Sequence, residues 1–141
     1  MQQQQTIMIN TRPQDAYRRQ DILTASATDL VVMLYDALKK NIIMGRRGIA
    51  KNDIEASHKH LIKSQEIVTE LINSLDMNYQ ISEELLKLYE FMLTNLADAN
   101  IHKNAEPLEP VIETVESLRT AWQEISEASK GNLYMSEEQQ A

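Results

Sequence analysis

The chain has 141 residues, a length that one hydrophobic core can serve. It contains no Cys, which excludes disulfides, thiolate metal sites and Cys nucleophiles, and its net charge of −7 argues against general nucleic-acid binding. Apolar residues make up 43% and charged residues 25%, ordinary for a soluble globular domain, and only three Gly and three Pro interrupt the chain.

The first 22 residues are Gln-rich and read as a flexible segment or lid. They lack the basic start and apolar stretch of a secretory signal. No apolar run approaches the ~20 residues that span a bilayer. A cytoplasmic protein that does not use a membrane is the expectation.

A first helix is predicted from Ser26, whose hydroxyl pairs with Asp29 as a capping box, through Leu30, Leu34 and Leu38 to about Ile49. Gly45 and Gly48 are expected to weaken its end. Asn52 or Asp53 can cap a second helix bearing Ile54, Leu61, Val68, Ile72 and Leu75. Asp76 to Gln80 read as a polar link. Ser82 is expected to cap a third helix, with a stripe at Leu85, Leu88, Met92, Leu96 and Ala99. Pro107 and Pro110 suit the opening of a fourth, whose stripe is Leu108, Val111, Val115, Leu118, Trp122 and Ile125. Equal lengths and short links predict an all-α, antiparallel up-down four-helix bundle over residues 23–129, followed by a flexible acidic tail at 130–141.

Charge is uneven along this frame. Residues 1–63 hold ten Lys/Arg and six Asp/Glu, whereas residues 64–141 hold four and fifteen. A dipolar surface that orients a partner is one consequence; solvated helix faces are the other.

The informative anomaly is apolar surplus. A bundle helix needs about three apolar positions per heptad. The fourth helix keeps to that and reads as scaffold. The first carries Leu30-Val31-Val32-Met33-Leu34-Tyr35 in a row, then Ala37, Leu38, Ile42, Ile43 and Met44, covering most of its circumference. The second adds Ile62, Ile67 and Leu71, the third Leu86, Phe91 and Leu93. Such surface must be covered, whether by the tails, by a second copy, or by a partner's amphipathic helix in a groove. Met33, Met44, Met77 and Met92 would let such a groove adapt.

Catalytic chemistry is sparse. Glu55-Ala-Ser-His58 has the form of half a di-iron site, but His60 and His102 lie in no matching motif and the fourth helix has no His. No phosphate-binding Gly loop and no Gly-x-Ser-x-Gly elbow is present. Lys39-Lys40 and Arg46-Arg47 form a small basic patch without interleaved aromatics, the mark of a solvated face. No enzyme activity, metal or cofactor is expected.

Four sequence pieces in order resemble one family. They are Tyr17 with Ile22-Leu23-Thr24-Ala25-Ser26, followed by Leu30-x-x-Met33-Leu34-Tyr35-Asp36; Lys63-Ser64-Gln65 with Ile67, Leu71 and Leu75-Asp76; Leu88-Tyr89-x-x-Met92 with Leu96 and Ala99-Asn100; and Leu118-Arg119-x-x-Trp122. The chain is similar to FliS, the export chaperone of flagellin, over roughly Tyr17 to Ile125. Departures are Ala27 where the family commonly has Pro, Ala37 where it usually has Gly, and Ser64 where it often has Ala.

The resemblance implies a cytoplasmic helical bundle that binds the disordered C-terminal segment of flagellin in apolar grooves. Binding would block premature polymerisation and present the complex to the type III flagellar export gate. It further implies an N-terminal stretch that covers a groove when no client is bound. On that basis Tyr17, Ile22 and Leu23 are candidate lid or client contacts. Leu34, Tyr35, Leu38 and Ile42 are candidates for one groove, and Leu71, Leu75, Leu88 and Tyr89 are further client contacts that can equally be core. The other classes are a regulatory helical adaptor for a different flagellar protein, and a homodimer that buries the same surface.

Overall fold

A computed structural model describes the backbone of residues 27–140 and the side chains of residues 27–128. Tyr17, Ile22, Leu23 and the capping residue Ser26 lie outside the described residues. Four helices follow one another: α1 (Ala27–Ala50), α2 (Ile54–Asn73), α3 (Gln80–His102) and α4 (Leu108–Gln140). They form the antiparallel up-down bundle, and the described residues contain no strand. The fourth helix is the longest at 33 residues, its backbone helical through the positions read as a tail.

Local chemistry sets most boundaries. Asp53 caps α2, its Oδ1 accepting from the Ala56 N–H at 3.1 Å. α3 begins two residues before Ser82 and has no side-chain cap. The expected cap is thus corrected: Ser82 is buried, and its hydroxyl donates to the Asp76 carbonyl at 2.6 Å, tying the helix to the preceding link. The link already turns at Asp76, which accepts from the Tyr79 N–H at 3.2 Å, so the helix needs no later start. α3 stops where Lys103 turns left-handed (φ 50°) and the Asn104 N–H reaches back to the Ala99 carbonyl at 3.1 Å. Pro110 falls in the first turn of α4, where a missing N–H removes no helical bond.

The two glycines do not weaken α1, which runs through both to Ala50. They let α2 approach. A Cβ on Gly48 would stand 2.7 Å from the Ser57 nitrogen and 2.9 Å from its Cα, and one on Gly45 would stand 2.7 Å from Leu61 Cδ2.

A polar ladder fixes α1 against α4. Arg46 pairs with Glu109 at 2.9 Å, Lys39 with Glu116 at 2.9 Å, and Asp36 with Arg119 at 2.5 Å; Ser126 then donates to Asp29. Each step toward the start of α1 is matched by an equal step along α4, the register of two antiparallel helices. Exposed ion pairs contribute only about 0–1 kcal/mol each, so the ladder serves register more than stability.

The core holds Tyr35, Leu38 and Ile42 from α1, Leu61, Val68 and Leu71 from α2, Met92 and Leu96 from α3, and Leu108, Val111 and Val115 from α4. Packing is closest between α1 and its two neighbours, α2 and α4, and looser between α3 and α4.

Candidate functional site

At the end of the bundle where α1 begins, the apolar surplus opens into two adjoining grooves. The first, about 410 Å³, lies among α1, the α2–α3 link, α3 and α4, and is lined by Val31, Leu71, Leu75, Tyr79, Ile81, Leu85, Tyr89 and Trp122. The second, about 550 Å³, runs between α1 and α2 past Leu30, Val31, Met33, Leu34, Ala37 and Glu70. Ala27, Val31 and Ser74 belong to both, so the two form one continuous apolar surface.

Helical phase explains the division of α1. At 100° per residue, Tyr35, Leu38 and Ile42 share the inward stripe, while Leu30, Met33, Leu34 and Ala37 fall on its α2-facing flank. Tyr35, Leu38 and Ile42, candidates for the groove that Leu34 lines, are at 0% exposure and belong to the core. They offer no surface in this conformation.

Leu71 and Tyr89 are buried yet form part of the first groove's wall, with Leu75 beside them. Leu88 is 37% exposed and lines neither groove. Sequence reasoning missed Tyr79 and Ile81, 65% and 56% exposed, because the link between α2 and α3 read as polar. The available signal was two large apolar side chains, Met77 and Tyr79, in a five-residue link. Trp122 corrects the reading of the fourth helix as plain scaffold, since its half-buried ring closes the first groove.

Beneath the grooves sits a buried polar layer. The Tyr35 and Tyr89 hydroxyls hydrogen-bond at 2.6 Å across the core. Burial raises both phenol pKa values, reinforced at Tyr35 by the bond to Tyr89. Among the described residues no buried side-chain nitrogen or oxygen lacks a partner. The same layer carries Asp36 with Arg119 on its outer edge. Three of the sequence pieces therefore converge here, Leu34-Tyr35-Asp36, Leu88-Tyr89 and Arg119-x-x-Trp122. Ser64, one of the departures, is fully buried, and its hydroxyl returns to the His60 carbonyl of its own helix at 2.8 Å.

Among the described residues no cluster of three or more His, Asp or Glu is placed to hold a metal ion. His58 instead bonds the buried Asn100 side chain at 3.1 Å. No described helix is long and apolar enough to cross a membrane. The arrangement can do what apolar grooves do, which is to take up apolar side chains of another chain segment.

Known proteins match this chain over most of its length. The family model described as flagellar protein FliS matches residues 8–129. A flagellar secretion chaperone FliS of Bacillus subtilis is 30% identical, covering 84% of this chain and 89% of the relative. The proteins of the same description from Salmonella typhimurium and Vibrio cholerae are 27% and 28% identical, covering 74% and 72% of this chain and 80% and 76% of themselves. With the family model spanning nearly all of the bundle, the chain belongs to the FliS family.

Proposed function

We propose that this protein is a flagellar secretion chaperone that takes the disordered C-terminal segment of flagellin into the two grooves and holds it from polymerising in the cytoplasm. The observation that carries the reading is the continuity of the grooves through Ala27, Val31 and Ser74. A client that folds on binding loses about 2–5 kcal/mol to ordering and needs about 1,000–3,000 Å² of interface, which one isolated pocket does not supply. Two joined grooves with Tyr79 and Ile81 projecting at their rim offer an extended apolar path. Glu70 and Ser74 give that path a few polar points for orientation.

Leu34, Leu71, Leu75 and Tyr89 are the client contacts among the candidate residues that line these grooves. Tyr17, Ile22 and Leu23 precede Ala27, which lines both grooves, so the N-terminal stretch starts within reach as a lid. A lid that occupies the groove lowers the apparent affinity for the client. Delivery of the complex to the type III export gate completes the role.

A pull-down decides the client. Intact flagellin should be retained by the immobilised full chain, and flagellin lacking its last few dozen residues should not. Equal retention of both would refute the assignment and favour a regulatory adaptor.

A further inference from the structure

The apolar surface of α1 does not end with the two grooves. A third hollow, about 230 Å³, adjoins the second through Met33 and Ala37 and continues along α1 past Asp36 to Lys40. Met33, Ala37 and Lys40 recur at helical spacing and share one stripe of α1. Among the described residues four charged side chains line the joined surface: Asp36, Lys40, Glu70 and Asp76.

Two of the four are engaged. The Asp36 carboxylate holds Arg119 at 2.5 Å, and the Asp76 carboxylate accepts from the Asn78 N–H at 3.0 Å. Neighbouring Lys39 and Glu66 are engaged as well, with Glu116 at 2.9 Å and Lys63 at 3.8 Å. Glu70 and Lys40 are exposed and make no ion pair among the described residues. The register of the bundle sets their spacing. Asn41 of α1 bonds His60 of α2, while Gly45 and Gly48 face Leu61 and Ser57. Antiparallel counting from these pairs puts Glu70 level with the turn of α1 around Leu34, its neighbour in the second groove. Lys40 then lies about 9 Å farther along, at 1.5 Å per residue.

We propose that Glu70 and Lys40 are specificity residues that select a client segment by the order of its charges. The segment seated between α1 and α2 carries a Lys or Arg against Glu70 and, about two helical turns on, an Asp or Glu against Lys40. This inference rests on the client reading given above and adds the chemistry of the segment. Apolar contact drives binding but is not directional, so grooves lined by Leu, Val and Met leave the direction and register of the client open. Two opposite charges close that choice. A reversed or shifted segment sets like charges together, or covers a charge without giving it a partner.

The test uses the full chain and a labelled peptide of the last few dozen residues of flagellin, at low and high salt. The exchange Glu70→Lys with Lys40→Glu keeps the net charge at −7 and touches only exposed side chains, so helix content should not change. Affinity should fall about tenfold at low salt, and the difference should shrink at high salt. The matching exchange Lys59→Glu with Glu84→Lys, at exposed positions that line none of the three hollows, should leave affinity unchanged. No binding by the native chain would overturn the client reading and this inference together. Native binding matched by the Glu70 and Lys40 exchange would overturn the inference alone. So would an equal loss in the Lys59 and Glu84 exchange, which would assign the effect to the general field of the protein. A gain in the Glu70 and Lys40 exchange would also overturn it, since the two charges would then hold the chain's own N-terminal stretch against the client.

Discussion

Tyr35 of α1 and Tyr89 of α3 meet hydroxyl to hydroxyl at 2.6 Å in the core. Two helices on different faces of the core are thus tied by one short polar bond. Tyr89 also forms part of the first groove's wall, so the bond fixes the position of one lining side chain.

Removing one hydroxyl leaves its partner buried and short of a bond. Tyr35→Phe should destabilise the fold by about 1–3 kcal/mol, because the buried Tyr89 hydroxyl loses its bond. The double variant Tyr35→Phe with Tyr89→Phe should cost less than the two single changes added together, since no orphaned hydroxyl remains. Urea unfolding of the four proteins measures this. Strict additivity would mean that the pair is not coupled.

The same burial makes stability depend on pH. In the folded chain both phenols keep their protons above the ordinary value, while the unfolded chain loses them at about pH 10. The folded state is therefore unaffected below that pH, and it loses up to about 1.4 kcal/mol per pH unit for each tyrosine as the pH rises beyond it. Unfolding free energies at pH 8 and pH 11 should differ clearly in the native chain and much less in the double Phe variant.

Gly48→Ala should destabilise by about 1–3 kcal/mol although Ala is the better helix former. Its Cβ would meet the backbone of Ser57, which is held in α2. Gly45→Ala should cost less, because its obstacle is the Leu61 side chain, whose rotamer can shift. A melting-temperature comparison ranks the two, and the reverse order would contradict the close approach at Gly48.

Leu34 and Leu38, one turn apart, should behave differently. Leu34→Asp places its charge on a half-buried groove wall and should leave the helix content intact while weakening the binding of a flagellin C-terminal peptide. Leu38→Asp places it where exposure is 0% and should prevent folding. Circular dichroism with calorimetry separates the outcomes; unchanged affinity in a folded Leu34→Asp removes Leu34 from the site.

Deleting residues 1–22 should preserve the cooperative unfolding of the bundle and raise affinity for the same peptide. Equal affinity with and without the segment would show that it does not compete for the groove.

Much of this was present in the sequence. The 3–4 spacing of Leu108, Val111, Val115, Leu118 and Trp122 dictates an amphipathic helix whatever it packs against, and the surplus from Leu30 to Met44 announces more apolar surface than a bundle consumes. A cap at Asn52 or Asp53 was legible from side-chain chemistry, and Asp53 is the one that bonds the Ala56 N–H. These are local properties, set within a turn or two of chain.

What the sequence left open depends on which helices become neighbours. Tyr35, Leu38 and Ile42 are core and Leu34 is groove because α2 and α4 lie on particular flanks of α1, and that placement is a tertiary fact. Gly48 reads as a helix weakness until the backbone of Ser57 is brought against it. Trp122 reads as scaffold until Tyr79 and Ile81 rise beside it. Periodicity along one helix fixes which residues share a face. Only the packing of four helices decides whether that face meets core, groove or solvent, because that is settled by atoms far apart in the chain.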